Sequence, residues 1–528
     1  MKKLHPLLLA LPGGLLLWAG WPVSPLTFLI FIAFVPFFWM EYTTSSRVKF
    51  LFYTYLMLMI WNTCTTWWMC NSTFPGGVAA ILANSFLMSI PCLGFYNVKK
   101  RLGERIGYLA FIVFWLAFEY IHLNWQLSWP WLTLGNVFAS HPDWVQWYQY
   151  TGTSAGSLWI LVVNVLLFLI LRKSLEPATS LKFKLPLAAF LVLFFPLLVS
   201  YFIKPATTYA KSIQNNIVVV QPNIDPYGKF DAGNVEGQLQ SLLTLSLSAI
   251  DSNTAIVVWP ETAISFPGGI DEARIREHKF LVPVWDFLRK HPRIKLLSGI
   301  ESYRLYTAQD KTASARQIEG SDNYYDSFNA AGLFDSSGAL QLYHKSKLVP
   351  GVETLPTYLR FLDKWFESFG GTTGGYASQV ERTVLTDPAS GYKFAPAICY
   401  ESIYGEFMTE YICNGANVIA VITNDGWWEN TAGYKQHMQY ARLRAIETRR
   451  WIVRSANTGI SCFITPSGEV LEAQPWDKAA TIKMSIPQNQ SLTFFVEHGD
   501  ILSIIAESVA VFLLFMSLIT WARNRFFK

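Results

Sequence analysis

Apolar blocks of bilayer length fill the first 204 residues and return once near the C-terminus, at 7–19, 26–40, 50–69, 78–96, 106–121, 157–171, 185–203 and 501–521. A hydrocarbon core ~30 Å thick is crossed by about 20 residues of apolar helix. No water-soluble core takes up such a pattern, and with 52% hydrophobic and only 15% charged residues among 528 the chain reads as a membrane protein. The expected order is seven spans, a large insert, then one more span. Positive charge tests that order independently. Lys2 and Lys3, Arg47 and Lys49, Lys99 to Arg105, Arg172 to Lys184, and Arg523 to Lys528 mark alternate connections, whereas the short connections between them, including the Trp-rich run 122–154, hold no Lys or Arg. Lys and Arg accumulate on the cytoplasmic side. Both termini are therefore expected in the cytoplasm and the insert outside it. The first block reads as a retained span rather than a secretory signal, because no small-residue cleavage site follows it. These anchors account for the net charge of +5, and no basic-aromatic module asks for nucleic acid.

Inside the insert, β-branched runs alternate with stretches of helical spacing. Strands are expected at 216–224, 256–259, 294–300, 393–398, 418–423, 451–456 and 461–465, a hairpin at 324–334 and 340–343, and helices near 234–252, 280–289 and 434–449. The pattern specifies an α/β domain of two or more layers. Three parts follow: a membrane domain at 1–204, an external catalytic domain at 205–500, and the eighth span with its tail at 501–528.

Three stretches of this domain carry chemistry. In FAPAICYESIYGE (394–406) an apolar strand ends in Cys399 and turns at once into polar residues. A strand-to-helix turn exposes a nucleophile and aims a helix N-terminus at it, which is expected to lower the thiol pKa. In IVVWPETAIS (256–265) Pro260 stops a strand and Glu261 sits at the handover, with Trp259 beside it as a pocket wall or a packing residue. LYHKSKLVPGVE (342–353) places Lys345 and Glu353 on either side of a short apolar run. A carboxylate, an ammonium and a thiol at strand ends supply a base, an oxyanion stabiliser and a nucleophile.

WPE, YHKSKLVP and ICYE in this order resemble the nitrilase superfamily, and together with the spans the whole chain is similar to its apolipoprotein N-acyltransferase family. The resemblance implies an α-β-β-α sandwich beside a multi-span helical membrane domain. It implies Glu261 as general base, Lys345 as the catalytic lysine and Cys399 as nucleophile, supported by Glu353, Tyr400 and Glu401, with no cofactor and no metal. It further implies a bacterial inner-membrane enzyme with its catalytic domain in the periplasm. Such an enzyme moves an acyl chain from a phospholipid, through a Cys399 thioester, to the N-terminal amine of a diacylglyceryl-cysteine apolipoprotein. GVE stands where relatives often have an aromatic residue and a glycine before the glutamate, and Lys347 where soluble relatives often have His, so the shape of that loop is expected to differ. A membrane-anchored amidase or nitrilase would use the same three residues with water as acceptor. A transporter is disfavoured by the scarcity of charged or broken midplane segments.

Other residues are read on their chemistry alone. Cys64, Cys70 and Cys92 lie in or beside spans, and Cys399, Cys413 and Cys462 in the external domain, at spacings that make no metal site. His437 on the 434–449 helix is expected to be structural, and Asn424 and Asp425 to line the pocket or form a turn. Glu119 and His122 near the end of the fifth span are expected at the interface. In TYLRFLDKWFESFGG (357–371), Tyr358, Phe361, Trp365 and Phe369 recur at helical spacing. That face is expected either to pack on the core or to dip into the outer leaflet and guide lipid, with Phe361 and Trp365 touching substrate.

Overall fold

The computed structural model describes residues 5–175, 183–206, 214–229, 231, 233–355, 357–362 and 375–526. Two compact units emerge: one comprises Met1–Cys70, Phe74–Lys204 and His498–Lys528, the other Asn71–Thr73 and Pro205–Glu497.

The first unit is helical. Its main helices are α1 (Ala10–Gly20), α2 (Val35–Thr43), α3 (Arg47–Thr66), α4 (Phe74–Leu102), α5 (Glu104–Leu123), α6 (Ser154–Ser174), α7 (Lys184–Ile203) and the C-terminal helix Ile501–Phe526. Of these, α4, α5, α6, α7 and the C-terminal helix are long and apolar enough to cross a membrane. The second expected span is broken. A 3-10 turn, Thr27–Phe31, precedes α2, which runs for only nine residues. The break is sustained by Asn164 on α6, whose Oδ1 accepts from the Phe34 N–H at 2.8 Å while its Nδ2 donates to the Ile30 carbonyl at 2.9 Å. Non-helical backbone at membrane depth persists only where protein groups satisfy it in this way. Glu119 and His122 lie in the last turns of α5, toward its C-terminal end. Both are buried, Glu119 accepting from Trp115 Nε1 at 2.9 Å and the Leu134 N–H at 2.7 Å, and His122 Nε2 lying 3.0 Å from Asn84 Oδ1.

The second unit is built on two sheets. Its main strands are β1 (Asn216–Gln221), β2 (Thr254–Val258), β3 (Lys295–Tyr306), β4 (Tyr324–Phe334), β5 (Leu340–His344), β6 (Lys393–Ile398), β7 (Val418–Thr423), β8 (Trp451–Ala456), β9 (Cys462–Ile464) and β10 (Ala480–Met484). One sheet runs β10-β1-β2-β3-β4, with β5 beside β4; the other runs β9-β8-β7-β6. β1, β2 and β3 are parallel, as are β6, β7 and β8, and β10 returns antiparallel to β1 in the register Ile217↔Met484.

NIVVVQ, TAIVV and VIAVIT are continuously apolar rather than alternating, and every residue of these strands is buried. A strand buried on both faces must lie in an inner layer. Val218, Val220 and Val257 pack on one side against Leu239, Leu242 and Leu243 of α8 (Val235–Ala249) and against Val284 and Leu288 of α9 (Val282–Lys290). By the two-residue period of a strand, Ile217 and Val219 face the other way, toward the second sheet. Ser455 on β8 donates to the Val220 carbonyl across that inner seam at 2.8 Å. Helices α10 (Gly405–Cys413) and α11 (Ala432–Thr448) cover the far side of the second sheet. The unit is thus the α-β-β-α sandwich that the resemblance implied, and each buried Val or Leu side chain contributes about 1.5–3 kcal/mol to it.

Candidate active site

The functional side chains sit where the inner strands end. After β2 the chain leaves the sheet at Pro260, and Glu261 follows in a tight turn whose next residue, Thr262, has φ +48°. Trp259 fails as a pocket wall. It is fully buried in the layer between β2 and α8, with its Nε1 donating to Ser246 Oγ at 2.9 Å, so it is a core residue. Gly299 on β3 lies directly behind the turn. A Cβ there would stand 2.4 Å from Thr262 N, 2.6 Å from the Pro260 oxygen and 2.7 Å from Glu261 Cα. All three are backbone or Cα atoms and cannot rotate away. Gly299→Ala should therefore push Glu261 outward and lower kcat by about 10²-fold, the usual cost of misplacing a catalytic group by about 1 Å. A variant with unaltered kcat would show that the turn yields harmlessly.

Lys345 follows β5, and its N–H donates to the Asn329 carbonyl at 2.9 Å, which prolongs the β4–β5 pairing by one step. Its Nζ is 2.8 Å from Glu353 Oε1 and 3.2 Å from Glu261 Oε1, and the side chain is 1% exposed. Burial alone would strip the charge. Glu261, Glu353 and Cys399 outweigh it and hold the ammonium well above the ordinary lysine range. Glu353 is fixed in turn by the Val349 N–H, which donates to its Oε2 at 2.8 Å. Asn329 completes the arrangement, its Nδ2 lying 2.8 Å from Glu261 Oε1 and 3.3 Å from Glu353 Oε1. The Asn424 N–H donates to Glu261 Oε2 at 3.1 Å, so Asn424 does border the site.

Cys399 stands at the end of β6 with φ +51°, a left-handed conformation that a side chain rarely adopts. The expected helix N-terminus is not aimed at it. Cys399 opens a 3-10 turn of five residues, Cys399–Ile403, and α10 begins only at Gly405. The expected low pKa is overturned as well: burial and the nearby charges of Glu261 and Asp425 push the thiol well above its ordinary range against the pull of Lys345.

Two buried networks fix the thiol's position. Glu401 accepts from the Tyr343 hydroxyl at 2.6 Å and the Ser346 N–H at 2.7 Å on one oxygen, and from the Ile398 N–H at 2.9 Å on the other. It ties the segment carrying Lys345 to the segment carrying Cys399. Tyr400 is buried against Tyr404, ring edge to face at 5.3 Å. On the other side, His437 Nδ1 lies 2.9 Å from Asp425 Oδ1 and its Nε2 3.1 Å from the Cys399 carbonyl, which is a structural placement. Cys399, Asp425 and His437 present their ligand atoms within 4.8 Å of one another. Arg454 also reaches that cluster, 2.7 Å from Asp425 Oδ2 and 3.2 Å from His437 Nδ1. Burial would raise the Asp425 carboxyl, but Arg454 and His437 hold it down to about 2. All six cysteines are free, Cys413 being exposed and Cys462 buried in β9.

Lys347 projects over the Tyr404 ring, 5.2 Å from its centroid. Phe361 lies in the 3-10 turn Thr357–Leu362 and is 80% exposed. Trp365 and the rest of the expected amphipathic run, 363–371, lie outside the described residues. Sequence reasoning missed Asn329, whose position inside a strand gave no sign of two carboxylates facing it. It also missed Lys229, in the loop after β1.

Residues 216–491 match the carbon-nitrogen hydrolase model, and residues 13–166 match the apolipoprotein N-acyltransferase N-terminal domain. A protein of Chlorobaculum tepidum named apolipoprotein N-acyltransferase is 29% identical over 519 residues, covering 96% of this chain and 95% of its own. One of the same name from Thermotoga maritima is 25% identical over 529 residues, covering 99% and 90%. Among solved structures, an amidase from Nesterenkonia sp. aligns with 54% of this chain and 95% of its own, at a TM-score of 0.35 and 14% identity. Because the hydrolase model spans more than half of the chain and the N-terminal model matches the helical unit ahead of it, the chain belongs to the carbon-nitrogen hydrolase family, in the apolipoprotein N-acyltransferase branch of the nitrilase superfamily.

Proposed function

We propose that this chain transfers an acyl group from a phospholipid to the N-terminal amine of a diacylglyceryl-cysteine lipoprotein, in two half-reactions through a thioester on Cys399. The observation that carries the reading is the buried Glu261–Lys345–Glu353 cluster beside the Cys399 thiol, in a chain that also carries the helical unit of its family. In the first half-reaction Glu261 takes the thiol proton as sulfur attacks the ester carbonyl, and the ammonium of Lys345 donates to the developing oxyanion. A donor of that kind is worth ~10²–10³-fold in rate. The tetrahedral centre collapses, the lyso-lipid alkoxide leaves with the proton held by Glu261, and the acyl group stays on sulfur. The lipoprotein amine then attacks the thioester and gives its proton to Glu261, and the thiol is regenerated. Glu353 keeps Lys345 charged and oriented throughout.

Incubation with phospholipid followed by mass spectrometry of the Cys399 peptide should show the mass of one acyl chain, discharged by a diacylated peptide amine. Discharge to water alone would make the chain an amidase-like hydrolase, and an unmodified peptide would remove the thioester.

Both substrates are held in a membrane, which accounts for a hydrolase-type domain inserted between spans. We place the chain in a bacterial inner membrane with eight spans, residues 205–500 on the periplasmic side and both termini in the cytoplasm. The alternating Lys and Arg connections support this. A reporter inserted near Asp310 should answer from outside and one fused after Lys528 from the cytoplasm; the opposite pair of answers would overturn the arrangement.

A further inference from the structure

Lys229 lies in the loop after β1 and is 1% exposed. A buried ammonium is costly unless its donors are used. Two of its acceptors belong to the Glu261 turn: Nζ is 2.9 Å from the Glu261 carbonyl oxygen and 2.6 Å from Thr262 Oγ1. The lysine is itself tied down, since Gln238 Nε2 on α8 donates to its carbonyl at 3.0 Å. Turn and lysine thus form one unit. Thr262, at φ +48°, is the kind of residue that keeps a strained conformation only when its surroundings over-determine it. Gly299 closes the turn from one side and Lys229 grips it from another.

From this geometry we infer that Lys229 is a positioning residue for the general base: it holds the Glu261–Thr262 main chain so that the carboxylate meets the thiol. The inference rests on the assignment of Glu261 as base. Charge placement supports it. Three carboxylates, Glu261, Glu301 and Glu353, gather beside two ammonium groups, Lys345 and Lys229. Glu301 Oε1 is held by the Tyr376 hydroxyl at 2.6 Å, and Lys229 interacts electrostatically with both Glu261 and Glu301. Burial draws the Lys229 ammonium down to about 8 against those two carboxylates.

The test is a double-mutant cycle on the full-length protein in detergent, reading single-turnover acylation of Cys399 by a p-nitrophenyl ester. Lys229→Met should slow acylation by about 10²-fold while leaving the half-saturating ester concentration unchanged, because the base is misplaced and the ester site is not. In the Glu261→Gln background the same substitution should cost less than about threefold, since there is no base left to position. Lys229→Gln, which keeps a donor, should lie between Lys229→Met and the parent, and it carries the cycle if Lys229→Met does not fold. Equal losses in both backgrounds, or a Lys229 variant acylated at the parental rate, would overturn the inference. A parental rate for Glu261→Gln alone would instead sink the assignment of the base, and with it any role exercised through that residue.

Discussion

Cys399→Ala is expected to give a folded protein whose acyl transfer is reduced by at least about 10⁴-fold, with no acyl mass on the 399 peptide, because the proposed thioester then has no sulfur to form on. Cys399→Ser fares little better. The pocket already disfavours a negative charge on this side chain, through burial and the carboxylates of Glu261 and Asp425. A hydroxyl, far less acidic than a thiol, meets the same penalty from a worse start. The alternative outcome is clear to read: a serine variant within tenfold of the parent would overturn the requirement for a thiol at this position.

Lys345→Met is expected to remove activity and stability together. Its ammonium is the cation between Glu261 Oε1 and Glu353 Oε1. Taking away one partner of a buried ion pair costs about 3–5 kcal/mol, because the charge left behind has no water to turn to. Here two carboxylates are left facing each other, and they must take up a proton to remain buried. The variant should therefore gain more stability than the parent as pH is lowered from neutral toward 5. Thermal unfolding at several pH values reads this directly, and turnover should be lost by about 10³-fold or more at every one of them. A Lys345→Met protein of parental stability would mean that the two glutamates do not depend on the lysine.

The meeting of Glu261, Lys345 and Cys399 was legible because each interrupts an apolar run at the point where a strand leaves a sheet. Glu261, Lys345 and Cys399 are all polar residues at the ends of β-branched or aromatic stretches, and the sheets bring those ends together. What surrounds them was not legible. Asn329 is a polar residue within an eleven-residue strand, and only the antiparallel pairing of β4 with β3 and β5 turns it toward two carboxylates. The acidity of Cys399 was misread because sequence cannot separate a five-residue 3-10 turn from the first turn of an α-helix, nor foresee burial beside two negative charges. FLIFIAFVPFF gives no periodicity by which to find a break, and the residue that sustains the break, Asn164, is more than 100 positions away. The terminal strand β10, ATIKM, escaped notice because it is half polar and only one of its residues is buried.

That last strand governs the order of events during synthesis. β1 is paired on one side with β2 and on the other with β10, so until Ala480–Met484 emerges, one edge of a strand with the apolar centre IVVV has no hydrogen-bonding partner. Translation at about 5–20 residues per second places roughly 13–55 s between the two strands. For that interval the nascent chain carries an open, β-branched edge of the kind that templates aggregation. Truncation anywhere before residue 480 would make the exposure permanent, so incomplete chains are expected to be cleared or to aggregate rather than to accumulate as inactive enzyme.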